Sequence, residues 1–193
     1  MKQILAIVFV LLFPVSIPHA QETAPKRTLT VLVVYDTHSS ILDTDVRRVL
    51  SRVSAELMLE VGLRLEVVKI ACRNVDINAV PYDLDRELRK LEKTDIRILV
   101  SDIRSKDERE PYGMALLKFG FVRIFEWTHQ ARLKDRGDHS ELCKTIIHEL
   151  AHLFGAVHDS SPKSFMYESS GSMGHWTKAV RKKFIENIFR VWE

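Results

Sequence analysis

The hydrophobic pattern switches period several times along the chain. "TLTVLVVY" (28–35) is β-branched and apolar between turn-type residues, and predicts a buried strand. Val46, Val49, Leu50, Val53, Leu57 and Val61 then recur at helical spacing. Gly62 stands where a C-terminal cap belongs, and Asp43 or Thr44 are the N-cap candidates. "LRLEVVKIA" (63–71) alternates and predicts a second strand. "DLDRELRKLEK" (83–93) places Leu84, Leu88 and Leu91 on one helix face, and "IRILVS" (96–101) predicts a third strand. After a charged loop (102–111), residues 113–127 predict two more strands meeting near Gly120. A second long helix follows, then a Ser- and Gly-rich loop (159–175). A final helix carries Val180, Phe184, Ile188 and Trp192 on one stripe.

Helices alternating with strands imply an α/β fold with a mostly parallel, five-stranded twisted sheet. The late strand pair supplies an antiparallel edge strand. At 193 residues the chain suits one domain of ordinary size. Residues 1–20 stand apart. Lys2 precedes an unbroken apolar run, Ile4 to Phe13, that Pro14 and Pro18 break, and Ala20 is a plausible cleavage position. The run is shorter than the roughly 20 residues a bilayer span needs, so a cleaved secretory signal is expected. This gives a signal peptide at 1–20, a short N-terminal tail at 21–27 and a single domain at 28–193. The protein would be secreted or periplasmic, with no membrane association after signal cleavage. With only 21–27 between signal and first strand, no folded latency segment is expected.

Charge narrows the partners. The chain carries 29 basic and 26 acidic residues, and losing Lys2 with the signal leaves a net charge of +2. That balance does not point to nucleic acid. Arg181, Lys182 and Lys183 read as a solvated helix face. Cys72 and Cys143 are compatible with one disulfide or with two separate buried thiols, and neither has C-x-x-C spacing.

Chemistry concentrates in "HELAHLFGAVHD" (148–159), which holds three of the eight histidines. His148 and His152, four apart, share one helix face. Gly155 can take a positive φ and end the helix, letting His158 swing back toward the same point. Three imidazoles with a fourth position open are the arrangement of a catalytic zinc site, so one Zn2+ ion is expected on His148, His152 and His158; the imidazoles by themselves also fit cobalt, nickel or copper. Glu149 then lies beside the metal without being a ligand, placed as a general base. The five fixed positions would match by chance with a probability on the order of 10⁻⁵ to 10⁻⁴, so an ordinary amphipathic helix is the poorer explanation.

HExxHxxGxxH followed by a methionine resembles the metzincin metallopeptidases. Met166, in "SFMY" (164–167), lies eight residues after His158. The resemblance implies a methionine floor beneath the metal, an active-site helix below the sheet, and a small C-terminal part ending in a helix. Asp159 and "GMA" (113–115) resemble the reprolysin (adamalysin-type) branch. The His158–Met166 spacing is similar to archaemetzincins, although Asp159 and Ser164 stand where their second-metal cysteines would be. The tyrosine that astacin-like members place two residues after the methionine is replaced by Glu168; Tyr167 stands next to the methionine instead, and packing is the role expected of it ahead of a catalytic one. His129, His139 and His175 read as surface residues, and Asp36, Asp102 and Asp107 have no partner that spacing reveals.

The function expected is a zinc endopeptidase acting on exported or extracellular peptides and proteins, with substrate extended along the edge strand at 113–119. Two alternatives stand beside it: a zinc aminopeptidase, and a catalytically silent, zinc-stabilised binding or inhibitory module.

Overall fold

The structure is a computed structural model that describes residues 25–37, 39–75, 79–102, 112–132, 141–167 and 174–192. The expected signal segment, His139 and Asp107 lie outside the described residues.

Among the described residues five strands and five helices follow in the order β1 (Arg27–Asp36), α1 (Asp43–Val61), β2 (Leu63–Arg73), α2 (Pro81–Arg89), β3 (Ile96–Val100), β4 (Gly113–Leu116), β5 (Phe121–Ile124), α3 (Trp127–Arg132), α4 (Glu141–Leu153) and α5 (Lys178–Glu186). The sheet order is β2-β1-β3-β5-β4. β1 pairs in parallel with β2 and β3, and β3 with β5; β4 closes the edge antiparallel to β5. The expected α/β sheet with its antiparallel edge is therefore present.

The apolar run of β1 has a direct cause. Leu29, Val31 and Val33 enter the core shared with α1, α4 and α5, whereas Leu32 and Val34 enter a smaller core beneath α2. A strand covered on both faces has no polar face to alternate with. α1 buries Val46, Leu50, Val53, Leu57 and Val61, and Gly62 ends it at φ 76°.

Several boundaries differ from the sequence reading. β1 begins at Arg27, inside the expected tail, and Lys26 N–H donates to Gly62 O at 2.8 Å. The N-cap of α1 is Leu42, with no side-chain cap. Asp43 is instead in the first turn and accepts a hydrogen bond from the Tyr35 hydroxyl at 2.9 Å. α2 starts at Pro81, where a missing N–H costs nothing, and stops at Arg89, leaving Leu91 beyond it. α3 was not expected. α5 ends at Glu186, so Ile188 and Trp192 continue its apolar stripe outside the helix; Trp192 meets Phe154 edge-on at 5.5 Å. Cys72 is exposed and Cys143 buried, and the two form no disulfide. The basic face of α5 is only partly as expected: Arg181 pairs with Glu60 at 2.6 Å, tying α5 to α1.

The outer face of the sheet holds charges the sequence did not flag. Arg97 and Asp85 are each 2% exposed and pair at 2.6 Å, while Arg89 reaches the other Asp85 oxygen at 2.7 Å. Both arginines also donate to the carbonyl oxygen of Phe119, fixing the β4–β5 turn to α2 and β3.

Candidate metal centre

α4 forms because Leu142, Ile146, Ile147, Leu150 and Leu153 make one continuous buried face. It ends in a six-residue cap. Gly155 N–H donates to His152 O at 2.8 Å and Ala156 N–H to Ala151 O at 3.0 Å, with Gly155 at φ 84°. Two of the last carbonyls receive side chains from the C-terminal segment, Phe154 O from Asn187 and Leu153 O from Arg190, each at 3.0 Å. The turn therefore reverses the chain at a fixed angle, and that reversal delivers His158.

The three expected ligands converge. His148 Nε2, His152 Nε2 and His158 Nε2 lie 3.1 Å from one another in all three pairings. The rings are aimed from behind. His148 Nδ1 donates to Phe165 O at 2.7 Å, and His152 Nδ1 donates to Ala156 O at 3.0 Å. A carbonyl can only accept, so in the neutral rings both protons sit on Nδ1 and both Nε2 atoms present bare lone pairs. Burial, together with the charge of its neighbour His152, pushes His148 down to about 4, against the raising effect of the Phe165 bond. Burial also lowers His152.

Two bare lone pairs held 3.1 Å apart repel, and a shared cation removes that repulsion. Among the described residues this is the group of donors that could hold a metal ion. Three imidazoles meeting at one point, each oriented by a carbonyl or a turn, suit zinc with a position left open.

Phe165 O belongs to the segment after His158, which folds back on itself. Asp159 N–H donates to Met166 O at 2.9 Å, Met166 N–H to Ser164 Oγ at 3.0 Å, and Phe165 N–H to His175 O at 3.1 Å. Met166 is completely buried in the main core. Asp159 also accepts from Ser161 N–H at 2.9 Å, so its carboxylate is occupied in shaping the turn.

Glu149 is 2% exposed and faces strand β4, where Gly113 leaves room for it. Gln130, fully buried on α3, ties strand to helix: its amide nitrogen donates to Tyr112 O and Phe125 O, and its oxygen accepts from Thr145 of α4 at 2.7 Å. The sequence offered no signal for Gln130 or for the Gly113–Glu149 approach, since both depend on which strand lies over α4. His129 and His175 are exposed and stand apart from the three ligands. Asp102, which spacing left without a partner, accepts from Thr128 N–H and Oγ at 2.9 and 2.6 Å and from Ser40 N–H at 3.0 Å, joining α3 to the segment before α1.

No family model matches the chain, and no curated protein matches it in sequence. Solved structures do match in fold. Archaemetzincin from Methanopyrus kandleri superposes with a TM-score of 0.63 at 17% identity, covering 87% of this chain and 100% of that one. A zinc-dependent peptidase from Methanocorpusculum labreanum gives 0.54 at 15% identity, covering 79% and 98%. Metalloproteinase-II from Bacteroides fragilis gives 0.55 at 15%, covering 86% of this chain and 54% of its own. The chain thus has the fold seen in archaemetzincin, with two histidines on the buried helix α4 and a third on the segment that returns beyond it.

Proposed function

We propose that this chain is a zinc-dependent metallopeptidase of the metzincin type, hydrolysing peptide bonds within peptide or protein substrates. The observation that carries this reading is three imidazole nitrogens 3.1 Å apart, on and just beyond the helix that carries Glu149, whose buried side chain faces the edge strand β4. His148, His152 and His158 hold the ion, and Glu149 carries the proton. The archaemetzincin-like fold, and Met166 buried behind the turn that orients His148, support the family. Asp159 and Ser164 are both used in building that turn, which supports a single ion.

The edge of β4 suits an extended substrate. Phe125 N–H donates to Tyr112 O at 2.9 Å, which makes that facing pair the hydrogen-bonded one. By alternation the main-chain groups of Gly113 and Ala115 turn away from β5 toward the open side. A peptide added there gains main-chain hydrogen bonds without regard to its side chains, and it extends past the site in both directions. This favours internal cleavage over removal of a terminal residue.

The chemistry a bound zinc ion supplies is polarisation of the scissile carbonyl and acidification of water. Glu149 accepts the proton of the attacking water and returns it to the departing amine nitrogen. Phe165 O and Ala156 O hold the ligand rings in one tautomer throughout. Residues 1–20 support a secreted or periplasmic location, and among the described residues no helix is long and apolar enough to cross a membrane.

Two variants test the reading. Glu149→Gln is expected to keep near-stoichiometric zinc and its fold yet lose turnover of a denatured protein by at least about 10²-fold. His158→Ala is expected to lose zinc. Wild-type protein that binds zinc, cleaves no peptide and matches Glu149→Gln would instead support the silent binding module.

A further inference from the structure

Four described glycines, Gly62, Gly120, Gly155 and Gly174, adopt positive φ. Gly113 does not; its strand backbone would accept any residue. What requires glycine is space. A Cβ at position 113 would lie 2.6 Å from Glu149 Cγ and 2.7 Å from Cδ, closer than real Cβ atoms come to any neighbour.

We propose that Gly113 is a positioning residue for Glu149: the missing side chain on β4 is the slot that sets where the carboxylate stands. This rests on the metallopeptidase reading above. The strand has little freedom to yield. Gln130 binds Tyr112 O, Phe125 O and Thr145 together at its entrance, and β5 pairs it along Gly113–Leu116. Glu149 is backed by the buried helix α4, with Leu150 and Ala151 fully enclosed. A methyl group at 113 therefore displaces the carboxylate from its place against β4. A misplacement of about 1 Å can cost a reacting group about 10²-fold in rate.

The coupling is tested first without activity. In the metal-free protein, Gly113→Ala should lower Tm by at least about 2 °C in the wild-type background. In the Glu149→Ala background, where Cγ and Cδ are gone, the same change should be close to neutral. Equal losses in both backgrounds would overturn the steric coupling, whatever the protein's activity.

The kinetic arm uses the zinc-loaded full chain and a peptide cleaved by wild type. Gly113→Ala should keep zinc stoichiometry and KM while kcat falls at least about tenfold, with the acid limb of the kcat/KM profile moved. Glu149→Asp, which withdraws the carboxylate, should make Gly113→Ala less costly than it is in wild type. A raised KM with kcat and pH profile unchanged would show that Gly113 serves the strand edge and overturn the proposal. Absence of turnover in wild type would instead remove the peptidase reading, leaving the stability result to stand alone.

Discussion

His148 Nδ1 donates to the backbone oxygen of Phe165 at 2.7 Å, joining α4 to the turn that carries Met166. His158, on the same returning segment, comes within 3.1 Å of both helix histidines. A metal held by all three therefore cross-links α4 to the lower part of the molecule. Ligand that binds only the folded state stabilises it by about 4 kcal/mol at 1,000-fold over Kd. Chelation should lower Tm in calorimetry, and zinc should restore it. An unchanged Tm in verified metal-free protein would refute the three-histidine site.

The metal-free protein should also respond to acid through His148. Its folded value is about 4, against an ordinary 6.5, because burial and its histidine neighbours disfavour the charged ring. Between those values the unfolded chain binds a proton that the folded chain does not, so stability falls as pH drops from about 6.5 toward 4. Denaturant titrations of metal-free wild type should show that slope. His148→Leu should flatten it; a slope of the same size in the variant would rule out His148 as its source.

Asp85 lies between Arg97 and Arg89 with almost no exposure. Removing the carboxylate strands a buried guanidinium, a loss of about 3–5 kcal/mol. Asp85→Ala should unfold at much lower urea than wild type. Replacing Asp85 and Arg97 together by apolar residues of similar volume should recover most of that loss, because no charge is left buried. Equal destabilisation by the single and double changes would show that the pair is not the source.

Gly155 tests the turn that delivers His158. The nearest atoms to an added Cβ are 3.9 and 4.0 Å away, so space is ample and only the φ of 84° resists. Gly155→Ala should cost about 1–2 kcal/mol through backbone strain alone. Zinc affinity should fall with it, measured by competition with a chromogenic chelator.

Periodicity and spacing in the chain were enough for the strands, for the described helices other than α3, and for the three-histidine cluster. The apolar run of β1, the 3.6-residue repeat of α1 and the i, i+4 histidines are each local patterns with a local cause. Gly155 was legible for the same reason, since only glycine fits that φ cheaply. The misplaced ends were also local. Pro81 opens α2 earlier than its leucines suggest, and Asp43 gave its carboxylate to Tyr35 rather than to a cap. What the linear order withheld was everything set by which element lies against which. The Asp85–Arg97 pair spans α2 and β3, the Gln130 clamp spans α3, β4, β5 and α4, and Asp102 reaches across to Ser40. Gly113 is 36 residues from Glu149 in sequence, and its lack of a side chain has no periodicity and no backbone motive. Only packing of the edge strand onto α4 turns that absence into a place for a carboxylate.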